Sequence, residues 1–204
     1  MSDTVSHTSV LYPAVFLDRD GTLNVDVGYP DSLEKIRLIP GAVEAVKLFN
    51  RLGYKVFVVS NQSGIARGFF DEARVREIHR GMQKMFARQG ARIDAFYFCP
   101  HHPDIGEPPY RRQCDCRKPE PGMFLQAAEA HDIDLSRSVM IGDKAADVEA
   151  GKRLGMISVL VLTGAGPAQL EQIRNDPTLP DPDFVARDVL EAARWISRRG
   201  EHHQ

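Results

Sequence analysis

The sequence predicts an α/β domain built on a doubly wound, mostly parallel, Rossmann-like sheet. Apolar runs rich in β-branched and aromatic residues, at 13–18, 54–60, 93–99, 138–142 and 157–162, alternate with segments of helical periodicity. Runs without polar alternation belong to strands buried on both faces. Strand–helix alternation implies right-handed crossovers into a parallel sheet. Three of the runs end in clustered polar residues: Asp18 and Asp20, then Ser60 to Ser63, then Asp143-Lys144. In a parallel sheet these ends share the edge at which open α/β sheets bind ligands.

Residues 1–12 read as a flexible N-terminal arm and 13–199 as one domain. In the first strand, four apolar residues from Ala14 to Leu17 run into Asp18-Arg19-Asp20-Gly21. A polar loop over 24–40 holds the cluster Asp26-Val27-Gly28-Tyr29. Pro40-Gly41 opens a helix whose apolar positions Ala42, Val43, Val46, Phe49 and Leu52 recur at three- and four-residue spacing, and Gly53 stops it. After the second strand, Asp71 is the N-cap of a helix running to about residue 89, with Gly90 as its stop. Val75, Ile78, Met82, Met85 and Phe86 form its core stripe. The third strand leads into 99–118, rich in Pro, Cys, His and Arg, too polar to pack as regular structure and long for a plain loop. Pro121-Gly122 opens a helix to about 131, the fourth strand follows, and then a helix over 145–154 and the fifth strand. A weaker strand at 184–186 precedes a last helix ending near 198. No repeat, low-complexity segment or linker marks a second domain.

At 204 residues, 43% hydrophobic and 26% charged, the chain has the size and composition to bury a proper core. A net charge of −2 gives no pull toward nucleic acid or anionic membrane, so neither is expected as a partner, and a monomer is expected. No apolar run approaches the roughly 18 residues of a membrane span. Met1 to Ser9 lack the basic-then-apolar layout of a signal peptide, which makes a cytoplasmic protein the default. Three cysteines, an odd number, suit reduced thiols or metal ligands better than a disulfide framework.

Two carboxylates crowded at one strand end repel each other and resist desolvation unless a cation joins them. A hard divalent ion such as Mg²⁺ prefers such oxygen ligands. An isolated pair also fits a solvated turn, so the other strand ends decide. Ser60, Asn61, Gln62 and Ser63 offer hydroxyl and amide donors; Asp143 adds a carboxylate, Lys144 an ammonium, and Asp147 follows one turn on. Arg117-Lys118 adds fixed positive charge if its loop folds over this edge. Carboxylates for a metal, with donors for an anion, are what phosphoryl transfer requires. No GxxxxGK[ST] loop is present to support a nucleotide-driven reaction.

DxDGT after the first strand, Ser at the end of the second, Lys in a later loop and GDxxxD after the fourth together resemble the haloacid dehalogenase superfamily of phosphatases, over roughly 13–165. The resemblance implies that Asp18 attacks phosphorus and forms an aspartyl-phosphate. It implies that Asp20 protonates the leaving oxygen and then deprotonates water, and that Ser60 and Lys118 bind phosphoryl oxygens. Mg²⁺ would be held by Asp18, Asp143 and the Asp20 carbonyl, with Lys144 adjacent and Asp147 supporting the ligands rather than joining them. The intervals between the motifs leave no room for a lid domain, which implies an open site shaped by loops.

Cys99-Pro100-His101-His102 and Cys114-Asp115-Cys116 use all three cysteines. C-x-H, twelve residues, then C-x-C has the composition of a closed Cys₃His zinc site, with His101 favoured over His102 by spacing. Such a structural zinc would brace an irregular 99–117 loop that has no core of its own. The alternatives are free thiols or a Cys114–Cys116 disulfide, which so short a loop strains.

C-x-H…C-D-C-R-K-P beside DRDGT, with D-x-G-Y downstream, is similar to the D-glycero-D-manno-heptose 1,7-bisphosphate 7-phosphatase family. This implies a phosphosugar substrate and a place in making heptose precursors for lipopolysaccharide or related glycans. It further implies substrate contacts from Asp26, Val27, Gly28 and Tyr29, from Ser60, Asn61, Gln62 and Ser63, and from Arg117 and Lys118. Arg67, Arg111 and Arg112 read as solvated charges. Histidinol-phosphate phosphatases, with a similar metal loop, are the alternative enzyme. A non-catalytic binding module around the zinc loop is the alternative of another class.

Overall fold

In the computed structural model, which describes residues 10–201, the first strand β1 (Ala14–Leu17) is buried along its whole length. Its pleat sends Val15 and Leu17 into one core and Ala14 and Phe16 into another. The expected N-terminal arm lies, through residue 9, outside the described residues. β1 sits at the centre of a six-stranded, all-parallel sheet with β2 (Lys55–Asn61), β3 (Ala95–Cys99), β4 (Val139–Gly142), β5 (Ile157–Val161) and β6 (Phe184–Ala186). The strand order β3-β2-β1-β4-β5-β6 reverses between β1 and β4, the switch point at which a doubly wound sheet opens a crevice.

Helices α1 (Ala42–Arg51), α2 (Glu72–Arg88) and α6 (Val189–Glu201) cover the Val15/Leu17 face through Val46, Phe49, Ile78, Met82, Phe86, Ala192 and Ile196. Helices α3 (Gly122–His131) and α4 (Ala145–Arg153) cover the other face. There Phe16 packs on Phe57 and Phe124 at ring-centroid distances of 5.4 and 5.1 Å. Burying each such ring contributes roughly 2–3 kcal/mol. Asp71 caps α2 as expected, accepting the Arg74 N–H at 2.8 Å.

The sequence reading did not include α5 (Gly166–Asn175), which packs Ile173 against Val148 and Leu160. The mark it missed was Pro167 in the first turn, a helix-start signal. In α2, Met85 is half-buried, and His79 takes a core position that the apolar stripe did not include. No helix among the described residues is long and apolar enough to cross a membrane.

Candidate active site

The pairing of β1 with β4 runs one residue past Leu17, because the Asp18 N–H donates to the Ile141 carbonyl at 2.9 Å. The pleat continued that far sends Asp18 toward the α3/α4 side and Arg19 toward α2. On the first side, Lys118 Nζ donates to Asp18 Oδ1 at 2.7 Å and to the Val59 carbonyl at 2.7 Å, and pairs with Asp147 Oδ1 at 2.6 Å. Those three partners use the three donors of the ammonium. Burial alone would lower the Lys118 pKa, but Asp147 and Asp18 hold it above its ordinary value, so it stays charged. Burial raises the Asp18 pKa against the pull of Lys118, with the Asp147 charge adding to the rise. The second oxygen of Asp147 accepts the Lys144 N–H at 3.0 Å, so both are engaged.

Asp143 is fully buried after β4. Its Oδ2 accepts the Ala165 N–H at 2.8 Å, whereas its Oδ1 makes no hydrogen bond. Burial first, and then the Asp18 charge, pushes its pKa up to about 7. Gly21 (φ +87°) and Gly164 (φ +57°) press on this carboxylate so closely that a Cβ at either would meet Oδ2 at 2.1 or 2.2 Å. Thr163 Oγ1 ties the two loops by donating to the Gly21 carbonyl at 2.6 Å. Ligand atoms of Asp18, Asp143 and Asp147 lie within 4.8 Å of one another. An orphaned buried carboxylate oxygen in an all-oxygen donor set fits a hard divalent cation such as Mg²⁺. Asp18 Oδ2 and Asp143 Oδ1 accept no hydrogen bond among the described residues and are open to ligate it, whereas both Asp147 oxygens already accept one.

Asp20 lies on the α2 side of this centre. Arg19, Asn24 and Gln62 all donate to its carboxylate, at 2.7–3.1 Å. Burial opposes ionisation, but the Arg19 charge and these bonds win and hold its pKa below the usual carboxylate value. Gln62 Nε2 also donates to Ser60 Oγ at 2.7 Å, linking the two predicted residues. Asn61 brackets the Lys118 peptide, with bonds of 3.0 Å to its N–H and its carbonyl. Asp18, Asp20, Ser60, Lys118 and Lys144 line an inner chamber of about 30 Å³. Asp20, Asn61 and Lys144 also line an adjoining cleft of about 280 Å³, walled further by Asp26, Gly28, Tyr29, Gln62, Ser63 and Arg117. Val27 is exposed and does not line that cleft.

Register brings the cysteine loop here. Asn61 pairs with Cys99 across β2 and β3, so the loop leaves the sheet beside Ser60 and Asn61. The three cysteines are free thiols rather than a disulfide. Cys99 and Cys116 Sγ each lie 3.5 Å from Cys114 Sγ, and His101 Nδ1 lies 3.3 Å from Cys116 Sγ and 3.7 Å from Cys99 Sγ. Tetrahedral zinc with bonds of about 2.0–2.3 Å spaces its ligands about 3.5–3.8 Å apart, so donor set and spacing both fit that ion. His102 instead uses Nδ1 to accept the Asp104 and Ile105 N–H groups, each at 3.1 Å. Arg117 Nη1 donates to the His101 carbonyl at 3.1 Å, tying this guanidinium to the loop. Sequence reasoning missed Arg19, His79, Thr163 and Gly164; for Arg19 a signal existed, since a residue between two aspartates on a pleated strand end must point away from at least one of them.

A family model described as HAD-hydrolase-like matches residues 115–192. The D-glycero-beta-D-manno-heptose-1,7-bisphosphate 7-phosphatase of Photorhabdus laumondii is 46% identical over 154 residues, 76% of this chain and 81% of that protein. The D-glycero-D-manno-heptose-1,7-bisphosphate 7-phosphatase of Thermosynechococcus vestitus is 43% identical over 90% of this chain and 95% of its own length. Among solved structures, the D,D-heptose 1,7-bisphosphate phosphatase of B. bronchiseptica, complexed with magnesium and phosphate, superposes with a TM-score of 0.79 at 34% identity, covering 92% of this chain and 99% of that one. The chain belongs to the D-glycero-D-manno-heptose-1,7-bisphosphate 7-phosphatase family of haloacid-dehalogenase-like phosphatases.

Proposed function

We propose that the protein is a Mg²⁺-dependent phosphatase that removes the 7-phosphate of D-glycero-D-manno-heptose 1,7-bisphosphate through an aspartyl-phosphate on Asp18. One carboxylate oxygen of Asp18 attacks phosphorus and leaves the other for the metal; Oδ1 accepts from Lys118, and Oδ2 makes no hydrogen bond among the described residues. Asp20, which Arg19 holds ionised in the free enzyme, takes up a proton as the anionic phosphate binds beside it, and gives that proton to the sugar oxygen as the bond to phosphorus breaks. Asp20 then takes a proton from the water that attacks the phosphoaspartate, which frees inorganic phosphate and regenerates Asp18. Ser60 Oγ donates to one phosphoryl oxygen, and Lys118 holds another by turning one N–H from its present partners toward it as charge moves onto the phosphate. Asp18, Asp143 and the Asp20 carbonyl would hold Mg²⁺, with Lys144 Nζ standing 3.8 Å from Asp143 Oδ1. When bound, the ion offsets the crowded carboxylates and polarises a phosphoryl oxygen.

Arg117 carries the choice of substrate. It stands on the wall of a cleft that adjoins the nucleophile's chamber, and no carboxylate pairs with it among the described residues. A sugar lying along Asp26, Gly28, Tyr29 and Asn61 to Ser63, with Val27 at the rim, would present its second phosphate to this guanidinium, which suits such an anion. Zn²⁺ held by Cys99, His101, Cys114 and Cys116 supplies a structural brace for that arm of the site. The reading takes the protein as a cytoplasmic monomer acting on a free phosphosugar. The test compares kcat/KM for the heptose bisphosphate with that for histidinol phosphate, in wild type and in Asp18→Asn. A preference for histidinol phosphate overturns the substrate, and phosphate release at the wild-type rate by Asp18→Asn overturns the mechanism.

A further inference from the structure

Arg19 is fully buried, and a guanidinium so placed needs an acceptor along each edge. One edge meets Asp20: Nε lies 3.1 Å from both carboxylate oxygens, and Nη2 donates to Oδ2 at 2.7 Å. Nη2 also donates to Gln62 Oε1 at 3.0 Å. Opposite them, Nη1 stands 3.2 Å from His79 Nε2. His79 is buried on the inner side of α2, stacked on Phe96 with ring centroids 4.8 Å apart and edge-on to Phe98 at 5.7 Å. Burial first, and then the Arg19 charge, lowers its pKa to about 3 against the pull of Asp20, and Arg76 adds to the fall. The ring is therefore neutral. Facing a guanidinium, it accepts at Nε2 and carries its proton on Nδ1.

We infer that His79 is a positioning residue for proton transfer by Asp20: its Nε2 fixes the Arg19 guanidinium, and the guanidinium fixes the plane and reach of the Asp20 carboxylate. The inference rests on the proton-transfer role proposed above for Asp20. Helix α2 is a firm reference for this purpose, because Asp71 caps it and Val75, Ile78, Met82 and Phe86 seat it in the core. Asp20, by contrast, sits in a turn that must admit the leaving group. Without the Nε2 acceptor, Nη1 is left unpaired in a buried place. The guanidinium then turns to find a partner and carries the Asp20 carboxylate with it. An error of about 1 Å in such a group costs on the order of 10²-fold in rate.

His79→Phe keeps a stacked ring and removes the acceptor, His79→Leu removes it at smaller volume, and His79→Gln returns an acceptor near the position of Nε2. Steady-state kinetics are measured with heptose 1,7-bisphosphate, and the first turnover with p-nitrophenyl phosphate, whose phenolate leaves without a proton. With the sugar, we expect kcat to fall at least about tenfold in His79→Phe and His79→Leu, KM to stay within about twofold, and His79→Gln to recover to within about threefold of wild type. The first-turnover release of p-nitrophenolate should stay within about twofold in all three. An equal loss on both substrates, or no loss on the sugar in whichever acceptor-free variant folds, overturns the inference. Asp20→Asn run alongside separates the two levels. If it loses the sugar rate but keeps the first-turnover release of p-nitrophenolate while His79→Phe behaves as wild type, only the positioning role fails; if it keeps the sugar rate, the proton-transfer role beneath fails with it.

Discussion

Substituting Asp147 by Asn should cost both stability and rate, for reasons that can be worked from the geometry. Asp147 accepts from Lys118 Nζ through Oδ1 at 2.6 Å and from the Lys144 N–H through Oδ2 at 3.0 Å. An amide has one oxygen, so one of those donors must face an NH₂ group. The side chains of Lys118 and Asp147 are only 3% and 2% exposed, so water cannot make good the loss. Removing one partner of a buried ion pair and leaving a donor unpaired costs about 3 kcal/mol. For a chain of about 200 residues that is a Tm drop of about 6–12 °C. Lys118 then presses its whole charge on Asp18, leaving a poorer nucleophile and a lysine less free to follow the phosphate; kcat should fall about ten- to a hundredfold. Both Asp147 oxygens are already engaged, so half-saturation by Mg²⁺ should move by no more than about twofold. Thermal unfolding and phosphate release across a Mg²⁺ titration read all three. A rate restored by high Mg²⁺, or a Tm unchanged within about 2 °C, would mean that Asp147 is a metal ligand or a bystander.

Cys116→Ser should reduce metal content from about one zinc per chain and raise KM more than it lowers kcat, because the loop that carries Arg117 loses a corner; full zinc content by atomic absorption would refute this. Unfolded His79 titrates near 6.5 and folded His79 near 3, so between those values the unfolded chain binds the extra proton. Stability contributed by the neutral ring is therefore present above 6.5 and lost as pH falls toward about 3, by at most about 1.4 kcal/mol per pH unit. Urea unfolding at pH 6 and pH 5 should show wild type losing about 1 kcal/mol more than His79→Gln, and parallel slopes would contradict the buried-ring reading. Gly164→Ala would set a Cβ 2.2 Å from Asp143 Oδ2 and 2.6 Å from the Gly21 Cα at positive φ. It should weaken Mg²⁺ binding at least about tenfold, since the metal carboxylate must move; isothermal titration with an unchanged Kd would argue against that contact.

Five of the six strands and most helix ends were legible in the chain because their causes are local. Apolar runs without alternation bury on both faces, Asp71 supplies a cap, and Gly53 and Gly90 stop helices in a conformation that favours glycine. The sixth strand, at 184–186, was legible only as a weaker run, and α5 escaped because Ile173 is almost its sole buried apolar contact. At the site, the acids were legible for a related reason: a strand that ends in carboxylates delivers them to the crevice whatever lies around it.

Lys118 and Asp147 were legible at this edge only as members of the family pattern, and which group each acid bonds to was not legible, because that depends on which helix or loop packs opposite. Lys118 reaches Asp18 from 100 residues away, Thr163 reaches Gly21 from 142, and His79 reaches Arg19 from 60. None of these contacts leaves a periodic or compositional mark. The sequence by itself determined the parallel sheet, the shared ligand edge and the inventory of chemical groups, since pleat, propensity and donor type belong to each residue. Only the tertiary structure decided that Asp147 is fully occupied, that Asp143 keeps a free oxygen, and that His101 rather than His102 meets the thiols. Those outcomes are hydrogen-bond allocations among groups brought together by packing, and a donor's choice of acceptor is settled only once its neighbours are in place.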